Sequence, residues 1–487
     1  MDLFSFAREA LDAAVAVRGV TYADARVVEI HSRSLSTRNG RVGSAASGES
    51  LGCGIRVLAN GAWGFASTDN LSREGLAGAA HLAAEIAHAS ALAVRKPILL
   101  AREAPHKATW NSECGKDPLA MPVGEQLAYL LRVDEELRRV QGLTLAGAQL
   151  ECWREHKVFV SSEGAEIGQT RTVMGAGCEA YSFRDGEIQK RSYPNSFGGQ
   201  YQLGGWELVE RLDLLGNATR VAEEAVALHD AAQCPELTGT LILDSSQLGL
   251  QIHESIGHPI ELDRVLGSEA NYAGMSFLTL DQLRTLRYGS DLVNVVCDAR
   301  VEHGPGMGTI AFDDEGVEGQ CSPIITAGQF TGYMTSRETA SAVGEGRSNG
   351  CMRAASWDRL PLIRMTNVSL LPGAQSLDEV FDVDHGVYME TNRSWSIDDK
   401  RYNFQFGCEM GWEIKNGKRV RMLKNPTYSG ISTEFWNSCD AIAGREHWTL
   451  WGVPNCGKGQ PEQVMGTGHG ASPSRFRNVK IGGGYGR

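Results

Sequence analysis

Residues 3–18 alternate apolar and polar groups at helical spacing and predict an amphipathic helix. The period then drops to two. Ala23–Ile30 alternates as a half-buried strand and Arg38-Asn39-Gly40 marks a turn. A second hairpin places Leu51–Leu58 and Trp63–Ser67 on either side of Ala59-Asn60-Gly61. Alanine-rich Leu71–Leu92 reads as a helix, and Val123–Val140 as another, closed by Gly142. Three further strands fall within 143–190, with hairpin turns at Glu163-Gly164 and Asp185-Gly186, before one last helix near Gly205–Ala231. This pattern predicts an antiparallel sheet with helices packed on it.

Composition shifts at Gln233-Cys-Pro-Glu236, so the expected division is 1–232 and 233–487. Beyond it, Thr240–Asp244 reads as a buried strand. Ser245 and Ser246 offer N-caps for a helix through Leu248, Leu250 and Ile252. The rest of the second part is glycine-rich, with strand patterns at 293–334, 360–372, 385–415 and 478–483. The fold class expected is α+β, with a β-rich second part that carries a strand-helix motif.

That helix runs into His253-Glu254-Ser255-Ile256-Gly257-His258. Two imidazoles with a carboxylate directly after the first are the parts of a zinc hydrolase. The histidines hold the metal and the glutamate takes a proton from water. The common form has the histidines four apart, on one helical face. Here they are five apart, roughly 140° out of line at 3.6 residues per turn, so a straight helix does not present both to one ion. Two departures resolve this. Pro259 disfavours helical angles at His258, which would put His258 at a ragged helix end; a π-bulge would serve equally well. Glu261 and Asp263 just beyond suggest a turn crowded with groups that act as a ligand or support one.

Catalytic zinc takes three protein ligands and keeps one position open. Glu261 is the candidate nearest in sequence. A more specific one is Cys456, in Asn455-Cys456-Gly457-Lys458-Gly459-Gln460-Pro461, where glycines permit close backbone approach and Lys458 can favour the thiolate. His469, between Gly468 and Gly470, is a candidate oxyanion donor or substitute ligand.

Together these segments resemble the TldD/PmbA family of metallopeptidases, on the TldD side. The resemblance rests on His253-Glu254…His258 after a hydrophobic strand and on Asn455–Pro461. It also rests on Gly54-Ile-Arg-Val57 with Gly61-Ala-Trp-Gly-Phe-Ala-Ser67. It implies that His253, His258 and Cys456 bind one zinc ion (Zn2+) per chain and that Glu254 is the general base. TldD-like chains carry the His-Glu motif and their PmbA (TldE) partners lack it, so this chain resembles the catalytic member. One departure is Pro259, where many relatives have glycine. The resemblance further implies a barrel-like β domain in the second half and action on unfolded or extended peptides, including precursor peptides of modified natural products. It also implies assembly with a TldE/PmbA-like subunit or a second copy, with the active site opening into an internal cavity.

The net charge of −12 and the lack of a long basic run give nucleic-acid binding no electrostatic case. Eleven cysteines without a Cys-x-x-Cys pair suit a reducing cytosol. The N-terminus is not signal-like, and no apolar stretch approaches the roughly 18 residues of a membrane helix. A cytoplasmic protein is expected.

Gly304-Pro-Gly-Met-Gly308 lacks the spacing of a dinucleotide loop. Asp313-Asp314-Glu315-Gly316 reads as a solvated acidic turn, with a Ca2+ site as the alternative. His303, His385 and His447 read as structural or exposed. Two rivals to the zinc peptidase remain from the residues alone. One is a cysteine hydrolase using Cys456 and His469; the other is a non-catalytic module that binds peptides or a partner.

Overall fold

The computed structural model describes residues 2–482. Five residues at the C-terminus, including the last of the 478–483 pattern, and Met1 lie outside the described residues.

The first half is built on two 19-residue strands, Val20–Arg38 and Arg41–Ala59, joined at Asn39-Gly40 and paired antiparallel along their length. Leu145–Ser161 lines the other side of Val20–Arg38, and Glu166–Arg184 follows it. Ala62–Thr68 and Lys107–Asn111 form the borders. Successive side chains of a strand face opposite ways, and around Tyr22–Val28 and Lys157–Ser161 both faces are buried. Ala23, Ala25, Val27, Val158 and Val160 pack beneath the helices Leu3–Val15 and Arg73–Ala91. At the other end of the same face, Leu35, Ala148, Leu150 and Met174 pack beneath Val123–Arg138 and Leu214–Ala227.

The expected single helix near Gly205–Ala231 is two, Glu207–Leu212 and Leu214–Ala227. Asp213 separates them in the left-handed region at φ 46°, and its carboxylate caps the second by accepting from Gly216 N.

The opposite face of this sheet carries charge. Arg56 bonds Asp24 and Glu315, Lys157 reaches Asp314 at 2.7 Å, and Arg26 lies 3.7 Å from Asp314. The acidic turn Asp313–Gly316 is therefore no solvated loop. Its three acids are at most 3% exposed. Asp314 and Glu315 tie the two halves together, while Asp313 accepts from Glu315, Val317 and Met352 N within the second half. Local composition misleads here because the compensating cations come from the first half.

In the second half, five strands close a barrel in the order His385–Ile397, Leu237–Leu243, Ser474–Ile481, Thr427–Ile431 and Asn403–Lys415, the last pairing back with the first. Beside it lies a six-stranded sheet ordered Gln329–Phe330, Cys321–Thr326, Val295–Asp298, Asn367–Leu370, Gln463–Ala471 and Thr449–Lys458. The architecture is α+β. One apolar core, including Leu248, Ile252, Met389, Phe406 and Phe476, runs through the barrel and the helix Ser245–Ile252. That helix packs against the barrel strand His385–Ile397 on one side and Gln463–Ala471 on the other. Among the described residues no helix is long and apolar enough to cross a membrane.

Candidate metal centre

The site begins where Leu237–Leu243 ends. Asp244, one residue before the expected serine caps, accepts from Ser246 N at 2.8 Å and starts the helix Ser245–Ile252. The helix then widens into a π-turn over His253–Gly257, with His258 N–H donating to His253 O at 3.1 Å. Of the two departures that would bring the rings together, the widened turn is the one adopted. His258 keeps helical angles, φ −65° and ψ −41°, despite the proline after it. Pro259 acts elsewhere: lacking an N–H, it cannot serve the Ser255 carbonyl four residues back. The buried Tyr288 hydroxyl donates to that carbonyl instead.

The π-turn brings the His253 and His258 rings to 4.8 Å between centroids, edge to face. Cys456 arrives on the strand Thr449–Lys458, its Sγ 3.8 Å from His258 Nε2. Ligand atoms of His253, His258 and Cys456 all lie within 4.8 Å of one another, and all three residues are buried.

Hydrogen bonds set which ring nitrogens are available. His469 Nδ1 lies 2.9 Å from the Val368 carbonyl, which only accepts, so this nitrogen carries the proton. His469 Nε2 therefore accepts from His253 Nδ1 at 2.8 Å, and His253 Nε2 keeps its lone pair. Likewise His258 Nδ1 donates to Glu261 Oε2 at 3.0 Å, which leaves Nε2 facing Cys456. Burial pushes both imidazoles below their usual range, so both rings are held neutral, as a metal requires. The Cys456 thiol is lowered too: burial acts to raise it, and the nearby Arg364 cation leads the effects that outweigh burial.

This donor set fits zinc. It offers two nitrogens and one sulfur, and ligands of a tetrahedral zinc stand about 3.6 Å apart at ordinary bond lengths. Each histidine is also oriented by an outer partner, the arrangement that supports metal ligands.

Two sequence expectations change at this site, those for His469 and Lys458, while Glu261 takes the supporting of its two expected roles. His469 is no partner of Cys456; its ring nitrogens face His253, Thr467 and Val368. Glu261 supports His258 through Nδ1. Lys458 does not face the thiol as its main partner, for its ammonium bonds Asp263 at 2.7 Å and the Ile363 carbonyl at 2.7 Å and lies 3.3 Å from Glu261. It neutralises the acid that holds His258, while Arg364, bonded to the Cys456 carbonyl at 2.5 Å, is the cation that favours the thiolate.

Glu254 lies beside this cluster, 5% exposed, with Oε2 2.5 Å from Arg401 Nη1. The sequence alone does not single out Arg401. It sits in a charged hairpin turn between two barrel strands, where composition suggests only solvent exposure.

The comparisons with known proteins bear on the whole chain. Residues 23–87, 116–229 and 236–483 match, in order, domain 1, the central domain and the C-terminal domain of the PmbA/TldA metallopeptidases. The chain belongs to the PmbA/TldD family. It is 28% identical over 465 residues to a metalloprotease of Methanothermobacter thermautotrophicus, covering 95% of this chain and 96% of that one. A protein of Saccharolobus solfataricus named a zinc metalloprotease TldD homolog is 29% identical over 245 residues, covering 50% of this chain and 51% of that one. The crystal structure of TldE from Thermococcus kodakarensis shares the fold with a TM-score of 0.72 at 16% identity, covering 98% of this chain and 99% of that one.

Proposed function

We propose that this PmbA/TldD-family protein is a zinc-dependent peptidase that hydrolyses extended, unfolded peptides. The observation that carries the reading is the convergence of His253, His258 and Cys456 with the Glu254 carboxylate beside them. His253, His258 and Cys456 hold the ion, one per chain, which supplies a Lewis acid and brings water toward ionisation at neutral pH. Glu254 accepts the water proton as the water oxygen bonds to the scissile carbonyl carbon. It then gives that proton to the departing amine nitrogen as the C–N bond breaks.

The strand that carries Cys456 supports an extended substrate. Among the described residues Thr449–Lys458 is the outermost strand of its sheet. Gln200 covers Leu450 O and Gly452 N, and only beyond them can the strand offer backbone groups to a peptide laid alongside. Relatedness to TldE makes a TldE-like subunit the natural partner, with a second copy of this chain as the alternative.

A second reading has one observation in its favour: Cys456, His258 and Glu261 form a thiol–imidazole–carboxylate chain. It gives His253 no task, although its free Nε2 belongs to the same cluster. Metal analysis by mass spectrometry on untagged protein, with a peptide-cleavage assay, separates the two. We expect about one zinc per chain, lost in His253→Ala and Cys456→Ala, and a Glu254→Gln variant that keeps zinc but does not cleave. Cleavage that survives Glu254→Gln and chelation would sink the metallopeptidase reading.

A further inference from the structure

Four cations surround the metal centre, and three of them are committed. Arg264 donates to the carbonyls of Met275, Ala273 and Asp399 and is wholly buried. Arg364 is spent on the Cys456 and Gln463 carbonyls, with no exposed surface. Lys458 is enclosed by Glu261, Asp263 and Glu269. Arg401 differs. Its guanidinium makes one hydrogen bond among the described residues, to Glu254; a buried Nε without a partner is a feature it shares with Arg364. Its side chain is nevertheless 17% exposed, so a ligand entering the site can meet it.

The turn that carries Arg401 is fixed without help from the guanidinium. Asp398 accepts from Tyr402 N at 2.7 Å and from the Asn403 side chain at 2.7 Å. Arg401 N donates to Asp398 O at 2.8 Å, and its own carbonyl accepts from Ser432 Oγ at 3.0 Å. The backbone is thereby held at φ 64°, a region that branched or bulky residues seldom occupy. A rigid hairpin thus delivers a guanidinium with unspent donors to the general base.

We propose that Arg401 has two tasks in the hydrolysis: it positions the Glu254 carboxylate with one N–H and donates others to the scissile carbonyl oxygen. As water adds, its oxygen bonds to the carbonyl carbon, the C=O π pair moves onto the carbonyl oxygen, and the water proton passes to Glu254. Glu254 becomes neutral as the carbonyl oxygen becomes negative. The attraction of the fixed guanidinium therefore shifts from the first to the second, so Arg401 binds the transition state better than the ground state. When the C–N bond breaks, the carbonyl re-forms, the proton moves from Glu254 to nitrogen, and Arg401 returns to the carboxylate. This inference rests on the hydrolytic reading of the site.

The test uses zinc-loaded protein and two probes of the same sequence: a phosphinic peptide, which mimics the tetrahedral oxyanion, and the parent peptide. Both are titrated calorimetrically into Glu254→Gln and into Glu254→Gln with Arg401→Ala. In that background a role through Glu254 alone is already removed. The expected result is a phosphinic-peptide affinity lower by roughly 100-fold, the scale of one lost oxyanion donor, with parent-peptide affinity within about threefold and zinc content unchanged. Arg401→Lys, which keeps the charge but not the planar fork, serves as the second variant and should lose roughly tenfold. Equal phosphinic-peptide affinity with and without Arg401 overturns the donor role, as does an equal loss for both probes. If the unmutated protein holds no zinc, the hydrolytic reading falls first and this inference with it.

Discussion

His253 donates its Nδ1 proton to His469 Nε2 across 2.8 Å, and His469 is itself fixed by donating to the Val368 carbonyl. The strand Gln463–Ala471 thus sets the tautomer of a ring that lies 216 residues earlier. His469→Ala should retain the fold and lower zinc affinity by about 10–100-fold, the usual loss when a ligand's outer partner is removed. Competition against a chromophoric chelator reads this directly. Wild-type affinity in the variant would show that His253 needs no such partner.

Gly257 lets the π-turn lie against the core. A Cβ there would come within 2.2 Å of Met365 Sδ, a side chain with no exposed surface. Gly257→Ala should cost about 1–3 kcal/mol, the ordinary range for overpacking. In a Met365→Ala background, itself less stable, the same change at Gly257 should cost less. Urea unfolding of the single and double variants measures both effects; an unchanged midpoint in Gly257→Ala would refute the tight fit.

Lys458 is wholly enclosed by three carboxyl groups. Burial would lower its ammonium pKa, but Asp263, Glu261 and Glu269 outweigh burial and raise it. Lys458→Met leaves those acids uncompensated and should destabilise the protein by about 3–5 kcal/mol, as breaking a buried pair does. A variant as stable as wild type in chemical denaturation would contradict this.

Asp314, between Lys157 and Arg26, gives a dependence on pH. Burial pushes its carboxyl up, but the two cations outweigh burial and hold it below the usual value. A depressed folded-state pKa contributes stability that is present above the unfolded value, about 3.9, and is lost as pH falls through the folded value. Asp314→Asn should therefore be most destabilising near neutrality, with the gap to wild type closing below about pH 4. Stability curves at several pH values check the sign; a gap that widens in acid would be the wrong sign.

The first half of the fold is legible in the sequence because its signals are local. Asn39-Gly40, Asn60-Gly61 and Asp185-Gly186 turn the chain between strands that pair with their sequence neighbours. The pattern falls short at Arg41–Ser50, where the strand is exposed or nearly so and lacks a buried stripe. Beyond residue 415 the strands Lys418–Lys424, Thr427–Ile431 and Thr449–Lys458 are not legible in the same way. Several of their partners are distant, and glycine-rich stretches such as Gln463–Ala471 show little alternation. At the site, His253, Glu254, His258 and Cys456 stand out by residue type. Arg401, Arg364 and Tyr288 do not, because each matters only through where a remote turn or strand delivers it.

Barrel closure also constrains the order in which the protein can be made. Leu237 pairs with Ile481 and Leu243 with Ser474, so the strand leading into the metal helix waits for residues that leave the ribosome far later. The long sheet of the first half, whose strands all lie within residues 20–203, has no such delay. During synthesis that sheet can fold first, while His253 and His258 remain in an unfinished half until Cys456 and His469 emerge. On the proposed function, metal capture is thereby placed among the last events of biosynthesis, and a chain stalled before residue 456 carries only part of the candidate ligand set.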